Sequence, residues 1–221
     1  MRFLAVLYDM DGTVLDTLED LNNAASAAMR AFGHPPLTLE QTRRFVGNGS
    51  RRLIEQALGE GADEAEVERV LAWYKPWYNA HCRICTRPYP GILPLMARLK
   101  EAGVRQAIVS NKPDPTVRAL AEDFFPGLAE LAVGERESEG IRRKPWPDML
   151  DAARERMGLR REDCLYVGDS EVDVLTAKNA GLRCAAVSWG FRSREQLIAA
   201  GAEILIDTPE ALGDLVLGTE R

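Results

Sequence analysis

The sequence predicts an α/β fold, a Rossmann-like parallel sheet flanked by helices, with an all-helical domain inserted into it. Three observations lead there. Short runs rich in Val, Ile, Leu and Ala alternate with amphipathic stretches of helical length. Gly103, Gly158, Gly181 and Gly201 stand where those helices would stop. From about residue 17 to about residue 86 the alternation lapses and only helical periodicity remains.

The strand-like runs are 3–8, 104–109, 131–133, 164–167, 183–187 and 204–206. Most are short and apolar at consecutive positions, the pattern of strands buried on both faces of a parallel sheet. Helical stretches at 92–101, 148–157, 172–180 and 194–200 lie among them. Within the insertion, 18–32 reads as a helix ending at Gly33, and Thr38-Leu39-Glu40-Gln41 reads as a capping box that opens another. Ser50 is the expected cap of a helix over 51–58. A last helix, from 63 to about 79, carries Trp73, Tyr74, Trp77 and Tyr78, read as bundle core, and Pro76 is expected to kink or split it. The expected division is a core of residues 1–16 and 86–221 and a helical domain of residues 17–85.

Composition narrows the function. The chain has 221 residues, 46% of them hydrophobic, ample for one domain with a modest insertion. A formal net charge of -6 argues against nucleic acid as a partner. The first apolar run stops at Asp9, too short for a signal peptide or a membrane span, so a soluble cytoplasmic protein without a membrane partner is expected, as monomer or homodimer. Cys82 and Cys85 form a C-x-x-C, but Cys164 and Cys184 stand apart and alone, so no second zinc pair exists. The pair is expected to be small apolar residues near a helix end rather than a redox couple.

The chemistry begins in Tyr8-Asp9-Met10-Asp11-Gly12-Thr13, just past the first predicted strand. A calcium loop counted from Asp9 would need Gly and Glu where Val14 and Asp20 stand, so that reading fails on spacing. Open α/β sheets bind ligands at the carboxyl ends of their strands, which is where Asp9 and Asp11 fall. Ser110-Asn111-Lys112 closes the second strand and Gly168-Asp169-Ser170-Glu171-Val172-Asp173 closes the fourth, so both groups should gather beside Asp9. Lys144 lies in a basic loop leading into a helix. Holding Asp9, Asp11 and Asp169 together calls for a hard divalent cation, and an all-oxygen donor set suits magnesium, Mg2+, better than zinc.

These motifs, in this order along the whole chain, resemble the haloacid dehalogenase superfamily of phosphotransferases, in the branch with a helical cap after the first motif. Within it the chain is most similar to the phosphoglycolate phosphatase group, through Thr86-Arg87-Pro88-Tyr89-Pro90-Gly91, Arg143-Lys144-Pro145 and Ser188-Trp189-Gly190-Phe191-Arg192. The resemblance implies a magnesium-dependent hydrolase of a small phosphorylated metabolite. Asp9 would be the nucleophile and Asp11 the acid and base; Asp9, Asp169 and the Asp11 carbonyl would ligate the metal. Thr13, Ser110 and Lys144 would hold the phosphoryl oxygens, with Asn111 in the same motif, and Asp173 would orient Lys144 or a metal-bound water. The Gly47-Asn48-Gly49 loop of the cap would close over the substrate, and Arg51 would reach a substrate carboxylate.

Rival expectations follow from the same scaffold. A phosphomutase similar to β-phosphoglucomutase would carry an apolar residue where Thr13 stands, and sugar phosphates or pyrophosphate are alternative substrates for a hydrolase. Dehalogenase and phosphonatase relatives lack an acid at the position of Asp11. A binding protein that merely kept the fold would be expected to have lost one of Asp9, Asp11, Lys144 or Asp169, and all four are present.

Overall fold

The computed structural model describes residues 3–219. The chain begins with strand β1 (Ala5–Tyr8) and the two-residue strand β2 (Leu15–Asp16). Helices α1 (Leu18–Ala31), α2 (Leu39–Phe45), α3 (Gly49–Leu58) and α4 (Glu64–His81) follow, and then β3 (Arg87–Pro88). Next come α5 (Ile92–Glu101), β4 (Arg105–Pro113), α6 (Asp114–Phe124), β5 (Leu131–Glu135) and α7 (Asp148–Arg156). The last elements are β6 (Cys164–Gly168), α8 (Glu171–Ala180), β7 (Arg183–Val187), α9 (Arg194–Ala199), β8 (Ile204–Ile206) and α10 (Pro209–Leu217). Two compact units emerge, Met1–Leu15 with Pro88–Arg221 and Asp16–Arg87.

The larger unit is the expected α/β fold. Its six strands pair in parallel in the order β5-β4-β1-β6-β7-β8. Every residue of β1 is buried, which is why the run shows no polar alternation. Ala5 and Leu7 face a core built with Met149, Leu150 and Ala153 of α7 and Ala177 and Ala180 of α8. Leu7, Met149 and Leu150, fully buried, each contribute roughly 1.5–3 kcal/mol relative to exposure. Gln106, also buried, accepts from Tyr8 Oη at 3.1 Å and donates to the Met96 carbonyl of α5 at 2.8 Å. Among the described residues no helix is long and apolar enough to cross a membrane.

Two helices are absent from the sequence reading, α6 and α10, and each has a proline at its first or second position. Pro115 and Pro209 lie in the first turn, where a missing N–H costs nothing, so residues that look like breakers are starts. β4 also outruns its expected end at 109, continuing to Pro113 through Ser110, Asn111 and Lys112, all buried.

In the helical unit Thr38 makes the expected capping box with Gln41. α3, in contrast, starts at Gly49 with Asn48 as its cap residue, so Ser50 is not the cap and Gly49 belongs to the helix rather than to a loop. α4 runs unbroken through Pro76, which corrects the expected split; buried Val67, Val70, Leu71, Tyr74 and Tyr78 hold its two halves to one face. Tyr74 and Tyr78 stack at 5.7 Å between centroids inside the unit, while Trp73 and Trp77 stack half-buried at 6.3 Å. Cys82 and Cys85 are free thiols, and burial together with Glu19 and Asp20 pushes the Cys85 thiol up, which favours the unreactive form.

Asp20 of α1 is the polar anchor of this unit. It is buried and accepts from the Cys85 amide at 3.0 Å and from the Thr86 amide and hydroxyl at 2.9 and 2.8 Å. Asp20→Ala strands these donors, and the expected loss is about 2–4 kcal/mol, read as a lower denaturant midpoint.

Candidate active site

Register places the site. Tyr8 is level with Ile108 on one side and Val167 on the other, so β1, β4 and β6 end at one edge of the sheet. Asp9 follows β1 with its amide on the Val167 carbonyl at 2.8 Å. The chain then turns tightly: Val14 and Leu15 amides return to the Met10 carbonyl at 3.1 and 2.9 Å, and the Gly12 amide reaches Leu15 at 2.9 Å. Gly12 has φ +82°, and a Cβ there would lie 2.2 Å from Asp169 Oδ2, so no other residue fits.

Lys144 enters from the loop between β5 and α7. Asn111 fixes its backbone, accepting from the Lys144 amide at 2.7 Å and donating to its carbonyl at 3.2 Å. The Lys144 ammonium then lies 2.7 Å from Asp9 Oδ1 and 2.7 Å from Asp173 Oδ1, and donates to Tyr166 Oη at 3.2 Å. Asp173 is saturated. Its Oδ1 takes Lys144 and the Tyr166 hydroxyl at 2.7 Å, and its Oδ2 takes the Asp169 and Ser170 amides and the Ser170 hydroxyl. Asp169 accepts from Thr13 Oγ1 at 3.2 Å and from the Phe191 amide at 2.7 Å. Asp11, less buried, pairs with Lys112 at 3.0 Å.

Burial sets the electrostatics. It opposes charging Lys144, but Asp173 and Asp9 outweigh it and hold the ammonium above its ordinary pKa. Burial raises Asp9 well above the usual carboxylate range against the pull of Lys144, with Asp173, Asp169 and Asp11 adding to it. Asp169 is pushed up to about 7 by burial and by Asp173. Asp173 moves the other way: burial opposes its charge, but Lys144 and the hydrogen bonds from Lys144, Ser170 and Tyr166 hold it below the ordinary value.

A haloacid dehalogenase-like hydrolase family model matches residues 6–187, a span that runs from within β1 to the end of β7. The chain belongs to that family. It is 34% identical over 209 residues to phosphoglycolate phosphatase 1 of Pseudomonas aeruginosa, covering 91% of this chain and 75% of the relative. It is 35% identical over 223 residues to N-acetylmuramic acid 6-phosphate phosphatase of the same organism, covering 98% and 96%. A crystal structure from Lactobacillus delbrueckii subsp. bulgaricus, provisionally named a phosphoglycolate phosphatase, superposes with a TM-score of 0.95 at 41% identity, covering 99% of this chain and all of that one. The chain is a phosphatase of the haloacid dehalogenase-like hydrolase family.

Does the site suit the divalent metal such phosphatases use? Carboxylate oxygens of Asp9, Asp169 and Asp173 lie within 4.8 Å of one another, and the ammonium of Lys144 is shared by two of them. Three buried carboxylates against one ammonium leave an excess of negative charge, and the raised Asp9 and Asp169 show its cost. The donors are all oxygen, which matches a hard cation. With Asp173 committed to five donors, Asp9 and Asp169 are the side chains suited to hold it.

This hydrolase's structure brings together Asp9, Asp11, Thr13, Ser110, Asn111, Lys144, Asp169 and Asp173 at one sheet edge. Asn111 exchanges two hydrogen bonds with the Lys144 backbone and so positions the lysine. Arg51, expected to seek a substrate carboxylate, is held by Glu64 at 3.0 Å and by Glu68. Gly47, Asn48, Gly49 and Arg51 lie in the helical unit. Sequence reasoning missed Lys112, although it sits in the quoted Ser110-Asn111-Lys112, and Tyr166, whose signal was only a polar-tipped aromatic inside an apolar strand. Asp173→Ala takes one of its two carboxylates from the buried Lys144 and the acceptor from the Tyr166 hydroxyl, and the expected loss is about 3–5 kcal/mol by denaturant unfolding.

Proposed function

We propose that the chain is a magnesium-dependent phosphomonoester hydrolase that works through an aspartyl-phosphate on Asp9. The observation that carries this reading is the 2.7 Å contact between Asp9 and Lys144 at the strand edge, where a buried carboxylate is kept next to a fixed cation. An oxygen of Asp9 attacks phosphorus as the ester P–O bond breaks, and Asp11 delivers a proton to the departing alkoxide. Water then attacks the same phosphorus, Asp11 takes its proton, and Asp9 is released with inorganic phosphate. Thr13 and Ser110 hold phosphoryl oxygens, while Lys144, oriented by Asp173, neutralises their charge.

Asp9, Asp169 and the Asp11 carbonyl would hold the magnesium ion, which when bound supplies Lewis-acid neutralisation of phosphoryl charge. The helical unit serves as a cap, with Gly47, Asn48 and Gly49 closing over substrate and excluding water. For the substrate, similarity to a phosphoglycolate phosphatase favours phosphoglycolate. A second reading, a sugar 6-phosphate, is favoured by near-complete coverage of N-acetylmuramic acid 6-phosphate phosphatase.

Phosphate release from a panel of phosphoglycolate, sugar 6-phosphates and pyrophosphate tests both levels. Wild-type kcat/KM is expected to be highest for phosphoglycolate, and Asp9→Asn is expected to lose at least about a thousandfold on every ester. Turnover that survives Asp9→Asn removes the covalent route, whereas a sugar-phosphate preference changes only the substrate.

Metal binding has a pH signature. Asp169, at about 7 in the folded state against 3.8 as a free group, destabilises the fold once ionised, so the metal-free protein loses stability as pH rises from about 4 through about 7. Protons compete with the cation below that point. The rise in Tm caused by magnesium is therefore expected to be largest at pH 8 and to shrink by pH 6, in thermal scans of chelated and magnesium-loaded protein.

A further inference from the structure

Residues 188–192 follow β7, outside the three strands that carry the catalytic groups, yet three consecutive residues there reach the site. Trp189 Nε1 donates to the Thr13 carbonyl at 3.0 Å. Gly190 packs so closely that a Cβ would lie 2.3 Å from Asp169 Cβ and 2.4 Å from the Gly12 carbonyl oxygen. The Phe191 amide donates to Asp169 Oδ2 at 2.7 Å. The segment is itself pinned at both ends. The Ser188 amide donates to the Ile206 carbonyl of β8 at 3.0 Å and its hydroxyl to Asp207 at 2.6 Å. Arg192, buried, holds Glu171 of α8 through two nitrogens at 2.8 and 3.2 Å.

The division of labour within this segment is informative. Phe191 bonds Asp169 and Gly190 packs against both Asp169 and the Gly12 carbonyl, while the indole bonds the Thr13 carbonyl of the turn after Asp9. That turn closes on itself through the amides of Val14, Leu15 and Gly12. Its internal bonds do not involve the Thr13 carbonyl, whose bond to Trp189 bridges 176 positions of chain. Orienting that carbonyl orients the Thr13 peptide plane, and with it the direction of the Thr13 hydroxyl. We propose that Trp189 is a positioning residue of the phosphatase reaction, using its indole N–H to hold the Thr13 turn in the conformation that receives the phosphoryl group. This rests on the reading of Thr13 as a phosphoryl-binding residue. It assigns to a residue remote in sequence the aim of that turn, alongside the bond from the Thr13 hydroxyl to Asp169.

Trp189→Phe removes the donor and keeps an aromatic ring, and the position tolerates it sterically, because Trp189 lines a cleft of about 400 Å³ shared with Tyr89 and Pro209. With phosphoglycolate and 4-nitrophenyl phosphate as probes, kcat is expected to fall on the order of tenfold while KM stays within about twofold. The magnesium concentration for half-activation, set at Asp9 and Asp169, and the Tm are expected to hold. Orthovanadate, a mimic of the phosphoryl group in flight, is expected to bind the variant about tenfold more weakly. Unchanged kcat overturns the proposal. So does a parallel fall of kcat, magnesium affinity and Tm, which marks the indole as simple packing. If the wild-type chain hydrolyses neither ester, the phosphoglycolate reading fails by itself, and equal vanadate affinity in wild type and variant then overturns this proposal.

Discussion

The ammonium of Lys144, shared at 2.7 Å by Asp9 and Asp173, is the contact around which the site is organised. Carboxylates placed this close out of water repel one another and lose hydration, so they persist only with compensation from inside the fold. Every neighbour can be traced to that need. Asn111 is spent on the lysine's backbone to fix where its side chain starts. Burial and Asp173 keep the Tyr166 phenol protonated, so it donates to Asp173 instead of adding charge. Gly12, Gly168 and Gly190 lack side chains because a Cβ at any of them would lie within 2.3 Å of an Asp169 or Asp173 atom.

Asp173 shows how local and distant demands meet in one side chain. Within its own helix it completes a capping box with Ser170, a local device for satisfying free amides at a helix start. The same carboxylate also receives Lys144 from a loop 29 positions away and Tyr166 from β6. With five donors on it, Asp173 balances charge inside the fold, whereas Asp9 and Asp169, which take fewer, are the side chains suited to a cation. Buried carboxylates thus differ in what they can bind because they differ in the donors already on them.

Much of this was legible in the chain. β1 and β6 read as strands because both faces are buried and the runs are uniformly apolar. Asp9, Asp11 and Asp169 read as a group because each falls just past a strand end. The extension of β4 through Ser110, Asn111 and Lys112 was hidden because polar residues break the apolar run, and the partners of Asn111 and Lys112, Lys144 and Asp11, lie far along the chain. α6 and α10 were hidden because proline in a first turn looks like a breaker until the helix after it is seen. The pairing of Arg51 with Glu64 and Glu68 was hidden because those glutamates lie on another helix.

The sequence by itself determined the alternation of strands and helices, the all-helical stretch within it, and which acidic residues fall at the strand ends. Those follow from local periodicity and from the rule that parallel strands present their carboxyl ends at one edge. Tertiary structure alone decided which charge each carboxylate answers, that Asn111 serves Lys144, and that Trp189 reaches Thr13 across 176 positions. Periodicity carries no information about distances between loops. Only packing sets the few ångströms on which hydrogen bonds and buried charge depend.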